Sequence, residues 1–464
     1  MRFRRLPIAL HALVILAMCG SLVAQTQEPL PPQESQGDSR YASEAQTSSG
    51  FALDLQSSLT HDNYIFGNNA GRQSDSTFQE GAFLNLWKTR PLWSVGLEYR
   101  PTILLHETAT AVNALNQGLK LDGIYRLRRN LQFQWKESAL YSVYYTTGVL
   151  ESASNEHFAL PTGPPPGTLN STLITPLIRE LINQSELDVI YDISRRSLFE
   201  VSSSYAFLDF PGGATSAAGL GLFNTQSGTD GFAYQYRLTR HFTLGFRYLF
   251  QQFRYGVVRD DAHNTFLTAL WQMGPYVVVS IFGGPSFSIT GGLLAIPSAN
   301  AGASGTILSS AALSTTGAGK WGTGAGGTLT LQSDQTVLRL TAQRLIADGG
   351  GLLTTVVNSY EGAELRHRLA SSWDLVLMAS NARSIALQGF LGRGTADTQS
   401  AAMALEHSLF ENLSVHFEYD FVRQRVNQYV PFAADVDDNR YTVGILYRIG
   451  SHKLTGRFTS PPSD

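Results

Sequence analysis

Leu413-Ser414-Val415-His416-Phe417-Glu418-Tyr419-Asp420-Phe421 places five apolar or aromatic side chains on one parity and four polar ones on the other. A β-strand sends successive side chains to opposite faces, so this segment reads as a strand with one greasy face and one wet face. The same alternation recurs at Trp93/Val95/Leu97/Tyr99 against Ser94/Glu98/Arg100 and at Phe232/Tyr234/Tyr236 against Gln235/Arg237. It returns at Phe242/Leu244/Phe246/Tyr248 against Thr243/Arg247. Many such runs spread over the whole chain make it all-β.

The links between runs alternate between short and long. Turn signals stand near Arg90-Pro91, Arg128-Arg129-Asn130, Arg195-Arg196, Thr239-Arg240, Gly274-Pro275, Ser333-Asp334, Ser371-Ser372 and Glu411-Asn412. Longer connections fall at about 61–75, 106–116, 146–183, 210–227, 256–261, 289–321, 346–358, 382–397 and 426–438. Short turns opposite long loops predict a transmembrane antiparallel up-and-down β-barrel. About eighteen strands fit, or sixteen if a weak pair in the second quarter is loop. Either count is even and leaves both termini on the periplasmic side. Closure follows from the solvent, because hydrocarbon offers no partner to a free sheet edge.

The chain opens with Arg2, Arg4 and Arg5, an apolar run over residues 6–18, and small residues up to Ala24. That pattern predicts a secretory signal over 1–24. A Pro-, Gln- and Ser-rich lead-in over 25–50, the barrel over 51–449 and a periplasmic tail over 450–464 complete the expected organisation. Cys19 is the single cysteine, so no disulfide forms within the chain; its lipidation competes with cleavage after Ala24, and Met18 before it disfavours that route. No later segment supplies the roughly 20 apolar residues of a membrane-spanning helix. Removing residues 1–24 takes three arginines and no acid, moving the formal charge from −3 to −6. An acidic balance without a basic patch excludes a nucleic-acid footprint.

If the aromatic parity faces lipid, the other lines a lumen, and it carries both signs. Arg100, Arg237, Arg247, Arg339, Arg366 and Arg368 stand with Glu98, Glu418 and Asp420. Mixed signs argue against strong ion selectivity. Trp87, Trp93, Trp135, Phe199, Phe242, Tyr276 and Trp373 lie beside turns and read as an interfacial girdle. Within the connection 146–183, Thr175 and Pro176 look like a helix start. Leu177, Ile178, Arg179, Glu180, Leu181 and Ile182 would then form a helical turn folded inward as a constriction. Asp435-Val436-Asp437-Asp438 reads as an acidic loop rather than a calcium site, so no metal is expected. No hydrolase, phosphate-loop or Cys/His motif is present, and no cofactor or enzymatic activity is expected.

Thr442-Val443-Gly444-Ile445-Leu446-Tyr447-Arg448-Ile449 resembles the C-terminal assembly signal of outer-membrane barrels, with Thr442, Gly444, Tyr447 and Ile449 at the matching positions. Fifteen residues follow it where such chains often stop at an aromatic. The resemblance implies recognition by the barrel-insertion machinery, with outer-membrane lipid and lipopolysaccharide as surroundings. Ser58-Leu59-Thr60-His61-Asp62-Asn63-Tyr64-Ile65-Phe66-Gly67-Asn68 is similar to the opening of porin-like barrels associated with bacterial exopolysaccharide export. It implies a passive or export-associated conduit for small hydrophilic solutes or polysaccharide. A structural or adhesion barrel with an occluded lumen and a barrel enzyme are the competing expectations, and the sequence leaves the oligomeric state open.

Overall fold

The computed structural model describes residues 48–63, 74–110, 113–143, 179–211, 224–255, 258–291, 293–294, 313–314, 319–350, 353, 355–387, 394–427 and 435–450. The strands are β1 (Ser48–Asp62), β2 (Asp75–Thr89), β3 (Trp93–His106), β4 (Ala114–Arg128), β5 (Leu131–Ser142), β6 (Glu180–Asp192) and β7 (Ser197–Asp209). They continue as β8 (Thr225–Arg237), β9 (Phe242–Tyr255), β10 (Val258–Met273), β11 (Val277–Gly291), β12 (Leu293–Leu294), β13 (Leu313–Ser314) and β14 (Lys320–Gln332). The last six are β15 (Thr336–Ala347), β16 (Val356–Ala370), β17 (Trp373–Ala386), β18 (Thr395–Phe410), β19 (Leu413–Val426) and β20 (Val436–Gly450).

β12 and β13 form a small ladder of their own between β11 and β14; the other eighteen strands form one antiparallel sheet. Each pairs with its chain neighbours, and β20 returns to β1 with Gly450 opposite Ala52 and Arg440 opposite Asp62. The sheet is therefore a closed barrel of eighteen strands with no free edge strand. One rim carries only tight turns (the turn end) and the other the long connections together with the short β9–β10 link (the loop end). At the turn end Gly274 adopts φ +69 in the β10–β11 turn, a conformation that glycine takes without Cβ strain.

The two parities separate as the alternation requires. In β8, Ser227, Thr229 and Ala233 are buried while Phe232, Tyr234 and Tyr236 are exposed. On β19, Ser414, Glu418, Asp420 and Val422 are buried, and Phe417 faces out. The outer wall is a belt of large apolar groups, among them Leu267, Ile281, Val443 and Ile445. Exposed aromatics ring the turn end, including Tyr125, Trp135, Trp271, Tyr276 and Trp373, the last stacked on His407 at 4.2 Å. Trp87 departs from the girdle: it pairs with Gly50 on the inward parity, and its ring covers the space a Cβ on Gly50 would need.

Two sequence expectations are corrected here. Glu180, Leu181 and Ile182 belong to β6 rather than to a helical turn, opposite Ser142, Tyr141 and Leu140 of β5. Leu181 and Ile182 also face Asp209 and Leu208 of β7. Strands on both sides satisfy the backbone from residue 180 onward, so no helical turn runs through 180–182; Thr175 and Pro176 lie outside the described residues. Arg179 is an exposed residue just before the strand; Leu177 and Ile178 lie outside the described residues. The expected long connection at 256–261 is instead a tight one, since Tyr255 pairs directly with Val258. The signal segment, the lead-in up to residue 47 and the tail from residue 451 also lie outside the described residues.

Candidate functional site

The barrel interior holds two distinct layers. In the half nearer the turn end, inward side chains form ion pairs around the wall. Arg100 pairs with Glu98 two residues away and lies over the Phe83 ring at 4.4 Å. Lys136 meets Glu186 at 3.4 Å, and Arg247 meets Glu200 at 3.3 Å. Glu364, nearly buried, is shared by Arg366 at 2.6 Å and Arg339 at 3.6 Å. Arg368 reaches Asp374 at 3.6 Å, and Arg448 reaches Glu406 at 2.9 Å. Arg237 is the last residue of β8 and shares the inward parity. Charges confined to a barrel need such pairing or water, because an isolated ion in an apolar setting carries a desolvation cost of several kcal/mol.

Nearer the loop end the interior is filled from one side. The connection between β15 and β16 bends into the barrel, and Asp348, Gly349, Gly350, Leu353 and Thr355 are all buried. Its hydrogen bonds explain how a loop rests there without stranding its polar groups. Gly349 N–H donates to the Tyr255 hydroxyl of β9 at 3.2 Å, and Thr355 donates to Asp260 of β10. Leu353 N–H donates to the Gly349 carbonyl at 3.0 Å, Gly350 N–H to Asp348 Oδ1 at 2.7 Å, and Leu387 N–H to the Thr355 carbonyl at 2.9 Å. Gly350 takes φ +58, a conformation that glycine adopts without Cβ strain.

Apolar contacts carry this tip across the bore. Ala347, Leu353 and Val356 share one cluster with Leu208 and Phe210 at the end of β7, Ala386 of β17 and Ala396 of β18, with Ile182 and Val426 against it. In the ring of eighteen, β7 and β18 stand nine strands apart, on opposite sides. Ile346 packs with Phe253, Tyr255 and Ala262, and Leu345 with Leu249 and Phe266. Sequence reasoning placed a constriction in another loop and passed over this one. Its available signals were the three consecutive apolar residues Leu345-Ile346-Ala347, which break the period of two, and the glycines after Asp348.

A third group closes the seam between the last strand and the first. Arg440 is buried between Asp62 at 3.1 Å and Asp438 at 3.4 Å, and the Thr60 and Thr442 hydroxyls meet at 2.9 Å below it. Glu418 and Asp420 are buried on the adjoining strand, with Asp420 opposite Arg440. The acids of the run 435–438 serve arginines: Asp435 and Asp437 pair with Arg425 and Asp438 with Arg440. Among the described residues, no group of three His, Cys, Asp or Glu side chains is arranged to hold a metal ion. Of the four residues that match the expected assembly signal, Thr442 and Gly444 lie on the inward parity of β20, and Tyr447 and Ile449 share the outward one.

No family model matches the chain, and no curated protein matches it. Several solved structures are similar to it in arrangement. OpdO of Pseudomonas aeruginosa has a TM-score of 0.43 at 12% identity, covering 87% of this chain and 97% of its own. OccK2 (OpdF) of the same organism, solved in complex with glucuronate, has a TM-score of 0.43 at 11% identity, covering 87% and 98%. OccAB4 of Acinetobacter baumannii has a TM-score of 0.41 at 10% identity, covering 87% and 99%.

Proposed function

We propose that the protein is a channel of the bacterial outer membrane, passing small hydrophilic solutes through a bore narrowed by the β15–β16 tip, with no enzymatic activity of its own. The observation that carries the reading is the division of the wall: a closed barrel with an apolar, aromatic-rimmed outside and an ion-paired inside. The outside suits hydrocarbon and the inside suits water. Arg or Lys on the lipid face at mid-bilayer would cost about 2–4 kcal/mol each, which favours placing the paired arginines around an aqueous lumen. Arg100, Arg237, Arg247, Arg339, Arg366 and Arg368, with Glu98, Glu418 and Asp420, then contribute to the field that a solute meets. Export through residues 1–24 and recognition of β20 by the barrel-insertion machinery belong to the same reading, as do lipid and lipopolysaccharide against the outer wall.

The tip favours small solutes over polysaccharide as cargo, because a cluster that joins residues of β7 and β18 narrows the bore a polymer would have to thread. It also gives substance to the second reading, an occluded barrel. Liposome swelling with sugars of graded size separates the three. Monosaccharides should swell protein-containing liposomes quickly and large oligosaccharides should not. Equal rates for all sizes would favour a polymer conduit, and no swelling would favour the occluded barrel.

A further inference from the structure

Neighbouring strands in the ring share eleven to fifteen register pairs, with one exception. β14 and β15 share eight, from Gln332 opposite Val337 near the turn end to Ala325 opposite Arg344. Beyond that point β14 continues to Lys320, paired on its other side with β11, where Gly324 faces Gly284 and Lys320 faces Ser288. β15 continues to Ala347, paired on its other side with β16. Among the described residues the wall therefore parts between the first five residues of β14 (320–324) and the last three of β15 (345–347). The unpaired end of β15 is the end that leads into the buried β15–β16 connection.

Between its two flanking cations, Arg344 exposed where the β14–β15 pairing stops and Lys320 at the start of β14, the lining of this gap is apolar. On the inner side stand Leu345, Leu249 and Phe266, with Phe282 edge-on to Phe266 at 5.3 Å. On the outer side Trp321 is 77% exposed, and its ring lies 4.8 Å from that of Phe287. Between them Gly322 presents no side chain, and among the described residues nothing lies within 4 Å of where its Cβ would be. β11 and β14 together contain a single charged residue, Lys320, and its Nζ is held by the Leu387 carbonyl. Apart from Lys320 and Arg344 the gap offers apolar surface, which suits an apolar or amphipathic molecule better than a small hydrophilic ion.

We infer that the β14–β15 gap is a lateral portal through which a small apolar or amphipathic molecule passes between the lumen and the outer leaflet. The inference rests on the membrane-channel reading. It is tested in intact cells with the apolar fluorophore 1-N-phenylnaphthylamine, which an intact outer surface admits slowly, alongside single-channel recording of the same proteins. Cells carrying the protein should take up the probe several-fold faster than cells without it. Gly322→Phe, which fills open space, should abolish that gain and leave conductance unchanged. Thr323→Trp, placed on the exposed outer side of the gap, is the second variant should Gly322→Phe fail to assemble, and it should act in the same sense. Conductance without accelerated uptake, or uptake untouched by an assembled variant, overturns the portal and leaves the channel standing. Accelerated uptake that the variant abolishes, without conductance, overturns the channel alone.

Discussion

Ala347 and Val356 are the last register pair of the β15–β16 hairpin, so the eight residues between them can be replaced by Asn-Gly, a two-residue turn that closes a hairpin directly. Eighteen strands about 4.8 Å apart and tilted about 40° give a circumference of about 113 Å and a backbone radius of about 18 Å. Inward side chains leave a bore of about 12 Å radius, or about 450 Å² in section, in a barrel of this size. Four extended residues reach about 13 Å, enough to bring the tip to the centre of the bore, and two strands with their side chains are about 10 Å wide. The tip thus blocks roughly 130 Å² by these dimensions, close to a third of the section. Single-channel conductance of the replacement should exceed that of the parent by about half, the increase expected when a constriction regains a third of its area. Folding is checked by the heat-dependent shift in electrophoretic mobility. A well-folded variant with unchanged conductance would refute the tip as the narrowing element.

Three further outcomes are expected. Arg440→Ala leaves Asp62 and Asp438 buried without their cation and should destabilise the barrel by roughly 3–5 kcal/mol in urea unfolding from lipid vesicles; adding Asp62→Asn should recover part of that, and no loss would mean the pair does not hold the closing seam. Glu364→Gln removes the carboxylate shared by Arg339 and Arg366, so the zero-current potential in a potassium chloride gradient should move toward anion selectivity; an unmoved potential would place these groups outside the ion path. Gly284→Ala drives a Cβ into the Thr265 backbone carbonyl of the adjoining strand and should cost about 1–3 kcal/mol with a lower folded yield; wild-type yield would contradict that packing.

The two faces of the wall were legible because each residue of a barrel strand meets one of two very different surroundings, and the period of two records that choice in place. Segments such as 413–421 and 242–248 carry it plainly, and the alternation of short and long links carries the antiparallel order. The inward tip was not legible, since Tyr255, Asp260 and Phe210 approach it from 90 to 140 residues away along the chain and leave no local pattern. Glu180 to Ile182 misled for the converse reason: a local cap motif was visible, while the ladder partners Ser142 and Leu208 that claim residues 180–182 were not. Trp87 shows the limit of reading aromatics by proximity to a turn, because its parity, set by Gly50 opposite it, sends it inside.

The most direct test of the central claim is a planar-bilayer recording of the purified wild-type protein. An ion-paired aqueous lumen partly filled by the β15–β16 tip predicts discrete insertions, each followed by a steady, near-ohmic current with weak selectivity between cations and anions. Correctly folded protein that inserts and passes no steady current would contradict it.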